Sequence, residues 1–163
     1  MKTKLTSSLL LAAALTTGAF AAADEVTVTF HEPDKFTDAR SRWGGDTDQG
    51  YLDTLASYVK KNAARQLAPG QKLEVTFTDI DLAGDFIPGN VRNQDVRVIK
   101  DIYIPRQKLT FRLIGADGQV LKEGERRLSD MDFMNNLSLV GRNEPLFYDK
   151  ALLSAWIDKE FKS

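Results

Sequence analysis

An aspartate-rich segment in the middle of the chain carries the residue types best suited to acid–base or metal chemistry. Its sequence, DIDLAGD over 79–85, places three carboxylates within seven positions. Read as a calcium loop, the segment begins correctly with Asp79 and Asp81, but its fifth position is Ala83 and its twelfth is Asn90, where acidic ligands are needed. We therefore expect no EF-hand, no tight metal site and no bound cofactor, although a looser oxygen-ligand site for Ca²⁺ or Mg²⁺ stays open.

A second polar segment follows, in which basic, acidic and aromatic side chains are interleaved. Its polar members are Arg97, Lys100, Asp101, Tyr103 and Arg106. If the two segments are neighbouring strands, the carboxylates should pair with cations across the sheet, and Arg97 and Lys100 are the first candidates. The same groups would also form a recognition surface for a polar ligand or a partner protein.

Trp43 lies in a polar loop just before two glycines, and it either folds back onto the core or faces a ligand. We group it with the two polar segments in one candidate binding patch. The patch comprises Asp79, Asp81, Asp85, Arg97, Lys100, Asp101, Tyr103, Arg106 and Trp43.

The composition excludes several classes of function. The 163 residues include 22 Lys and Arg against 23 Asp and Glu, one His and no Cys. This near-neutral balance disfavours nucleic acid as the partner, because phosphate binding needs a concentrated basic surface. Without Cys the chain has no disulfide, thiolate metal ligand or thiol nucleophile, and His31 has no nucleophile beside it. Motifs of serine hydrolases, nucleotide-binding loops and zinc proteases are missing from the sequence.

The N-terminus has the three parts of a secretory signal peptide. Lys2 and Lys4 form a basic start, and an apolar run follows over 9–15. The small residues Ala19 and Ala21 have the spacing that signal peptidase recognises, and the alanines at 21–23 are a second choice. We predict a signal peptide over 1–21, with cleavage before Ala22 or before Asp24. The mature chain, 22–163, is expected to be periplasmic and to contain no transmembrane segment, since no other stretch is long and apolar enough to span a membrane.

The hydrophobic periodicity of the mature chain predicts alternating strands and helices. Alternation over 26–30 predicts a strand, and a helical stripe from Tyr51 to Leu67, with Asp48 as its N-cap, predicts a helix. Alternation resumes over 73–82, where a bulge near Thr78 would keep Asp79 and Asp81 out of the core.

The rest of the chain predicts a meander and a closing helix. Strands are expected over 96–104 and 109–113, followed by a hairpin turn and a return strand over 119–128; the final helix runs over 148–161. The order of elements predicts a single α+β domain. We expect a mixed, mostly antiparallel sheet with a strand-helix-strand start and then a meander, and two helices packed on one face.

Several segments resemble an uncharacterised secreted family of Gram-negative bacteria that is known only as a domain of unknown function. The resemblance is carried by FTD at 36–38, YLDTL at 51–55, TDIDLAGD at 78–85 and KDIY at 100–103, and it extends over essentially the whole mature chain. IPR at 104–106 departs from it, because two prolines are expected before the Arg. The resemblance implies a small periplasmic α+β domain and assigns no activity or catalytic residue.

Two functions from different classes fit these observations. The first is a non-enzymatic periplasmic module that binds a protein or envelope component through a polar sheet face and adjacent loops. The alternative is a carboxylate-dependent hydrolase or lyase, with or without a divalent cation, in which the three aspartates of 79–85 act as ligands or as acid and base. In the second case Arg97, Lys100 or Tyr103 would stabilise charge. An enzyme needs these groups to converge on a concave pocket with a displaced carboxylate pKa.

Overall fold

The protein is an α+β domain built on one four-stranded mixed sheet. The structure is a computed structural model that describes residues 25–40, 47–86, 97–135 and 144–162. The strands β1 (Val26–Phe30), β2 (Lys72–Asp81), β3 (Arg106–Ile114) and β4 (Val120–Ser129) lie in the order β1-β2-β3-β4. β1 is parallel to β2 and the other two pairings are antiparallel, so the predicted mixed, mostly antiparallel sheet is confirmed.

Helix α1 (Gln49–Ala63) makes the crossover between the parallel strands β1 and β2. As predicted, Asp48 caps it: the Asp48 carboxylate accepts hydrogen bonds from the backbone N–H groups of Gly50 at 2.9 Å and Tyr51 at 3.4 Å. The helix ends at Ala63, and the chain turns before Leu67. The predicted strand-helix-strand start is therefore confirmed, with a helix one turn shorter than the periodicity indicated.

The predicted bulge in β2 is present. The register with β3 shifts between Phe77 and Asp79, so Val75 and Phe77 are buried before the shift and Ile80 is buried after it. Strict alternation would instead have turned Asp79 toward the core, where an ionised carboxylate is costly.

Both helices bury their apolar stripes in one core on one face of the sheet. Helix α2 (Phe147–Phe161) contributes Trp156, whose ring packs edge-to-face with Phe111 of β3 at 5.9 Å and with Phe161 at 5.6 Å. The core cluster also contains Leu55 of α1 and Leu73 of β2. The two helices therefore cover the same side of the sheet, as predicted.

The prediction of a strand over 96–104 is wrong for residues 97–104, the part of it that the structure describes. Residues 97–105 form an irregular segment, joined to the loop after β2 by an isolated bridge between Asp85 and Val98. Tyr103 closes a turn with its N–H on the carbonyl of Lys100 at 3.0 Å, and Ile102 is 68% exposed. The edge of β2 is already occupied by β3, so the alternating apolar residues here pack as a loop. Val96, the first residue of the predicted strand, lies outside the described residues.

Neither helix of the described ranges is suited to crossing a membrane. Each has 15 residues, whereas a spanning helix needs about 20 apolar ones. The predicted signal peptide, 1–21, lies outside the described residues.

Candidate functional site

Asp79 is held in place by three hydrogen bonds. Its carboxylate accepts from the backbone N–H of Thr37 at 2.9 Å, from the Thr37 hydroxyl at 3.1 Å and from Lys108 at 2.8 Å. Partial burial raises the pKa of Asp79, but the hydrogen bonds from Lys108 and Thr37 outweigh it and hold the pKa below its usual value. This carboxylate is therefore ionised and already partnered.

Asp81 pairs with Arg106 across the same two strands, at 3.0 Å. Burial raises the pKa of Asp81, and the nearby charges of Asp38 and Asp79 raise it further, while Arg106 opposes them. Pairing with cations on the neighbouring strand agrees with expectation. The prediction that Arg97 and Lys100 are the partners is wrong. The register of β2 and β3 places Lys108 opposite Asp79 and Arg106 opposite Asp81.

Arg97 does not lie in a strand, and its side chain joins two loops by binding Asp38 and the backbone of Gly84. Its side chain is only 10% exposed, and it forms a two-pronged pair with Asp38 at 2.6 and 3.1 Å. The same guanidinium donates to the carbonyl of Gly84 at 2.6 Å and lies over the ring of Phe86 at 4.9 Å. Burial lowers the pKa of Arg97, but Asp38 outweighs this and raises it, so the group stays charged. Its Nε is buried and has no hydrogen-bond partner among the described residues.

Among the described carboxyl groups, that of Asp149 has the pKa furthest from its ordinary value. The patch predicted from the sequence does not include this residue. It lies in the first turn of α2, is 1% exposed, and accepts a long hydrogen bond from the N–H of Ala83 at 3.3 Å. Burial raises the pKa of Asp149 to about 7, against the opposing effects of the Ala83 N–H and the Arg97 charge. No direct ion pair joins Asp149 to a cation in the described ranges.

Gln107 lies beside Asp149 and is also buried without ordinary partners. It is 1% exposed, and neither atom of its amide makes a hydrogen bond of normal geometry within the described residues. An interaction with this amide also favours the charged form of Asp149, so the two side chains are close. Buried polar groups in folded proteins are nearly always satisfied, so the Arg97 Nε and the Gln107 amide have unused hydrogen-bonding capacity within the described residues. Together with Asp149 they form a buried polar layer.

A cleft of about 380 Å³ opens above two members of this layer, Arg97 and Asp149. We call it the Asp149 cleft. Its lining comes from the start of α1, the loop after β2, the segment after 97 and the entry to α2. The lining residues are Tyr51, Ala83, Arg97, Ile99, Glu144, Pro145, Leu146, Phe147, Tyr148 and Asp149. Its walls are largely aliphatic and aromatic, while its polar groups are few, which is the usual character of a small-molecule site.

The remaining residues of the predicted patch are divided between two other places. Asp81, Asp85, Tyr103 and Arg106 line a shallow, polar hollow of about 340 Å³ beside the end of β2. A second hollow, of about 420 Å³, is lined by Lys100 and Asp101 together with the turn around Phe133. The predicted patch is thus divided among the Asp149 cleft and these two hollows, and the cleft and the second hollow share Ile99. Asp79 lines none of the three, and Trp43 lies outside the described residues.

Metal-ligating side chains do not cluster in the described ranges: no group of three or more His, Asp or Glu is placed to hold an ion. The cations and backbone N–H groups described above already use the carboxylates of Asp38, Asp79 and Asp81.

Three of the four segments that carried the family resemblance meet at this end of the sheet, and the fourth, at 51–55, contributes Tyr51 to the lining of the Asp149 cleft. Thr37 binds Asp79, Asp38 binds Arg97, and the N–H of Gly84 donates to the carbonyl of Tyr103 at 3.1 Å. A comparison with protein families matches residues 24–159 to the family described as protein of unknown function (DUF3016).

The chain belongs to the DUF3016 family. The resemblance to a domain of unknown function is therefore confirmed, and the match covers nearly the whole predicted mature chain of this DUF3016 protein. A search of curated proteins found no match.

The missed site residue did have a signal in the sequence. Asp149 precedes Leu153 by four positions and Trp156 by seven, so it falls on the apolar stripe of α2. A charged residue on such a stripe lies either at the edge of the core or inside it, and Asp149 lies inside it.

The stability of the protein should fall as the pH rises through the range in which Asp149 ionises. Between pH 4 and 7 the native state holds a proton on Asp149 that the unfolded state has lost, so this contribution is complete at low pH and is lost above about pH 7. Asp149→Asn cannot titrate. From pH 5 to pH 8 the wild type should therefore lose roughly 2–3 kcal/mol more unfolding free energy than the variant.

Urea denaturation at the two pH values measures this difference. Asp158→Asn, an exposed position on the same helix, is the matched control and should follow the wild type. Equal losses in the wild type and Asp149→Asn would contradict the raised pKa.

Proposed function

We propose that this DUF3016 protein is a non-catalytic binding module that holds its ligand in the Asp149 cleft. The observation that carries the proposal is the cleft itself: about 380 Å³ with mostly apolar walls, lined by the buried carboxyl of Asp149 and by Arg97, whose Nε has no hydrogen-bond partner among the described residues. A ligand with a few polar atoms would satisfy those groups and bury apolar surface at the same time. The proposed binding site therefore lies in the loops next to the sheet, and not on the open polar face.

The pairing of the other carboxylates supports binding over the catalytic alternative based on residues 79–85. Asp79 and Asp81 are each fixed by a cation of β3, and Asp85 accepts from the N–H of Phe86 at 2.7 Å. A general acid and base, or a set of metal ligands, would need carboxylates that converge and remain available.

A hydrolase or lyase remains the second candidate, carried by a different residue. Burial raises the pKa of Asp149 to about 7, which suits proton transfer at neutral pH, and Arg97 lines the same cleft. In that case the acid–base residue is Asp149 and not Asp79, Asp81 or Asp85. Turnover of a bound ligand that stops in Asp149→Asn would favour this candidate.

We also propose that the protein works in the periplasm, where its partner is a periplasmic protein or an envelope component. The tripartite N-terminal sequence supports this location. N-terminal sequencing of protein isolated from its host should find Ala22 or Asp24 as the first residue, in the osmotic-shock fraction. Recovery of a membrane-bound protein that begins at Met1 would contradict the proposal.

Binding in the cleft is best tested by NMR amide shifts of the mature chain, with a mixture of cationic, neutral and anionic aromatic fragments as probes. Perturbed amides should concentrate at Ala83, Leu146 and Phe147, which line the cleft, and should spare Lys100 and Asn135, which line the neighbouring hollow that shares Ile99 with it. Ile99→Trp should fill the cleft and abolish these shifts. Ile102→Trp, the same change at an exposed position of the same loop, should leave them intact.

Two results would overturn the proposed site. Shifts that survive Ile99→Trp but vanish in Ile102→Trp would move the binding site to the hollow around Tyr103. The absence of any cleft shift at millimolar fragment would remove the binding proposal.

A further inference from the structure

We propose that the Asp149 cleft binds a protonated primary amine with a carbonyl group on the neighbouring carbon and an apolar side chain. An amino-acid amide and the N-terminus of a peptide both have this chemistry. The ligand class rests on the proposed function, because it concerns the same cleft.

The ionisable group at the cleft that has no opposite charge paired with it is acidic. Arg97 is the cation among the lining residues, and the two oxygens of Asp38 at 2.6 and 3.1 Å match its charge. The exposed rim residue Glu144 pairs with Lys150 at 3.9 Å, whereas Asp149 has no ion-pair partner among the described residues. An incoming ammonium is therefore attracted, whereas an incoming anion meets a guanidinium that is already neutralised.

The carboxyl of Asp149 has acceptor capacity for such an ammonium. It accepts a long hydrogen bond, 3.3 Å, from the Ala83 N–H, and interactions with its own backbone N–H and with the Gln107 amide also favour its charged form. An ionised carboxylate offers about four acceptor positions, and an ammonium offers three donors. Since burial raises the pKa of Asp149 to about 7, a bound ammonium would shift the carboxyl to its charged form near neutral pH.

The carbonyl group of the proposed ligand would accept a hydrogen bond from the Nε–H of Arg97, which has no acceptor among the described residues. Arg97 lines the cleft with a nearly buried side chain. Its Nε is itself fully buried, so a ligand reaches this atom only when the side chains of the cleft wall shift. A neutral carbonyl oxygen beside the amine would supply that acceptor without adding a charge to be compensated. A free carboxylate would add one, and we therefore favour an amide or peptide over a zwitterionic amino acid.

The walls of the cleft suit an apolar side chain. Tyr51 and Phe147 contribute aromatic rings, and Ile99 and Leu146 contribute aliphatic surface. Aromatic faces also attract cations, so the same walls favour an ammonium near their rings. The cleft volume of about 380 Å³ holds a molecule of roughly one or two residues.

Calorimetric titration of the mature protein with matched probes at pH 7 tests the ligand class. L-Phenylalaninamide carries the amine, the carbonyl and an apolar ring. N-Acetyl-L-phenylalaninamide lacks the charge, phenethylamine lacks the carbonyl, and L-phenylalanine adds a carboxylate. We expect phenylalaninamide to bind at least about tenfold more tightly than the acetylated probe and more tightly than the other two.

Asp149→Asn should reduce the affinity for phenylalaninamide at least about tenfold. It should leave weak binding of the acetylated probe unchanged, because Asn has nearly the same shape without the charge. Asp158→Asn on the exposed side of α2 should change neither. The variant removes a buried charge, so we expect it to stay folded, and its circular dichroism spectrum checks that.

The outcomes separate the ligand class from the proposed function. Equal binding of the amine and acetylated probes, both lost in Ile99→Trp, overturns the amine while the cleft remains a binding site. The absence of binding by every probe and fragment overturns both. If the class holds, tighter binding of the tripeptide Phe-Gly-Gly than of phenylalaninamide identifies a peptide N-terminus as the source, and the reverse identifies a small free amine.

Discussion

The bulge at Thr78 in β2 determines which side chains face the core at the functional end of the sheet. Before it, Val75 and Phe77 face inward, and after it Ile80 does. This change of parity leaves Asp79 and Asp81 where β3 can neutralise them, and it directs the following loop beneath the start of α2. The N–H of Ala83 then meets Asp149. A one-residue slip would bury two carboxylates and remove the floor of the cleft.

A layer of buried polar groups lies between this loop and α2. Arg97 ties the segment after β1 to the loop after β2 by binding Asp38 and the carbonyl of Gly84. Such a pair is costly to desolvate, and it is retained where its geometry is good and its remaining atoms are satisfied. Its Nε is unsatisfied in the described structure, as is the amide of Gln107. This layer and the cleft that Arg97 and Asp149 line are the physical basis for both proposals.

The sequence predicted the features that depend on local patterns. The Asp48 cap and the bulge follow from residues close together in the chain, and the α+β order follows from the sequence of periodic segments. The partners of Arg97 and Asp79 depend on a register that the pattern does not contain. Apolar alternation around Val98 and Ile102 predicted a strand, but the edge of β2 is taken by β3, which begins at Arg106. The burial of Asp149 follows from its position on the apolar stripe of α2, and its residue type alone does not indicate it.

Asp149 is buried without an ion-pair partner among the described residues, and its titration can be followed directly. Carbon-13 NMR of the Asp149 side-chain carboxyl, assigned by comparison with Asp149→Asn, measures its midpoint in the folded protein. Burial raises the pKa of Asp149 to about 7, so the midpoint should lie near neutrality. A midpoint near 4, the ordinary range for a solvated aspartate, would show that this carboxyl is hydrated or paired and would contradict the account.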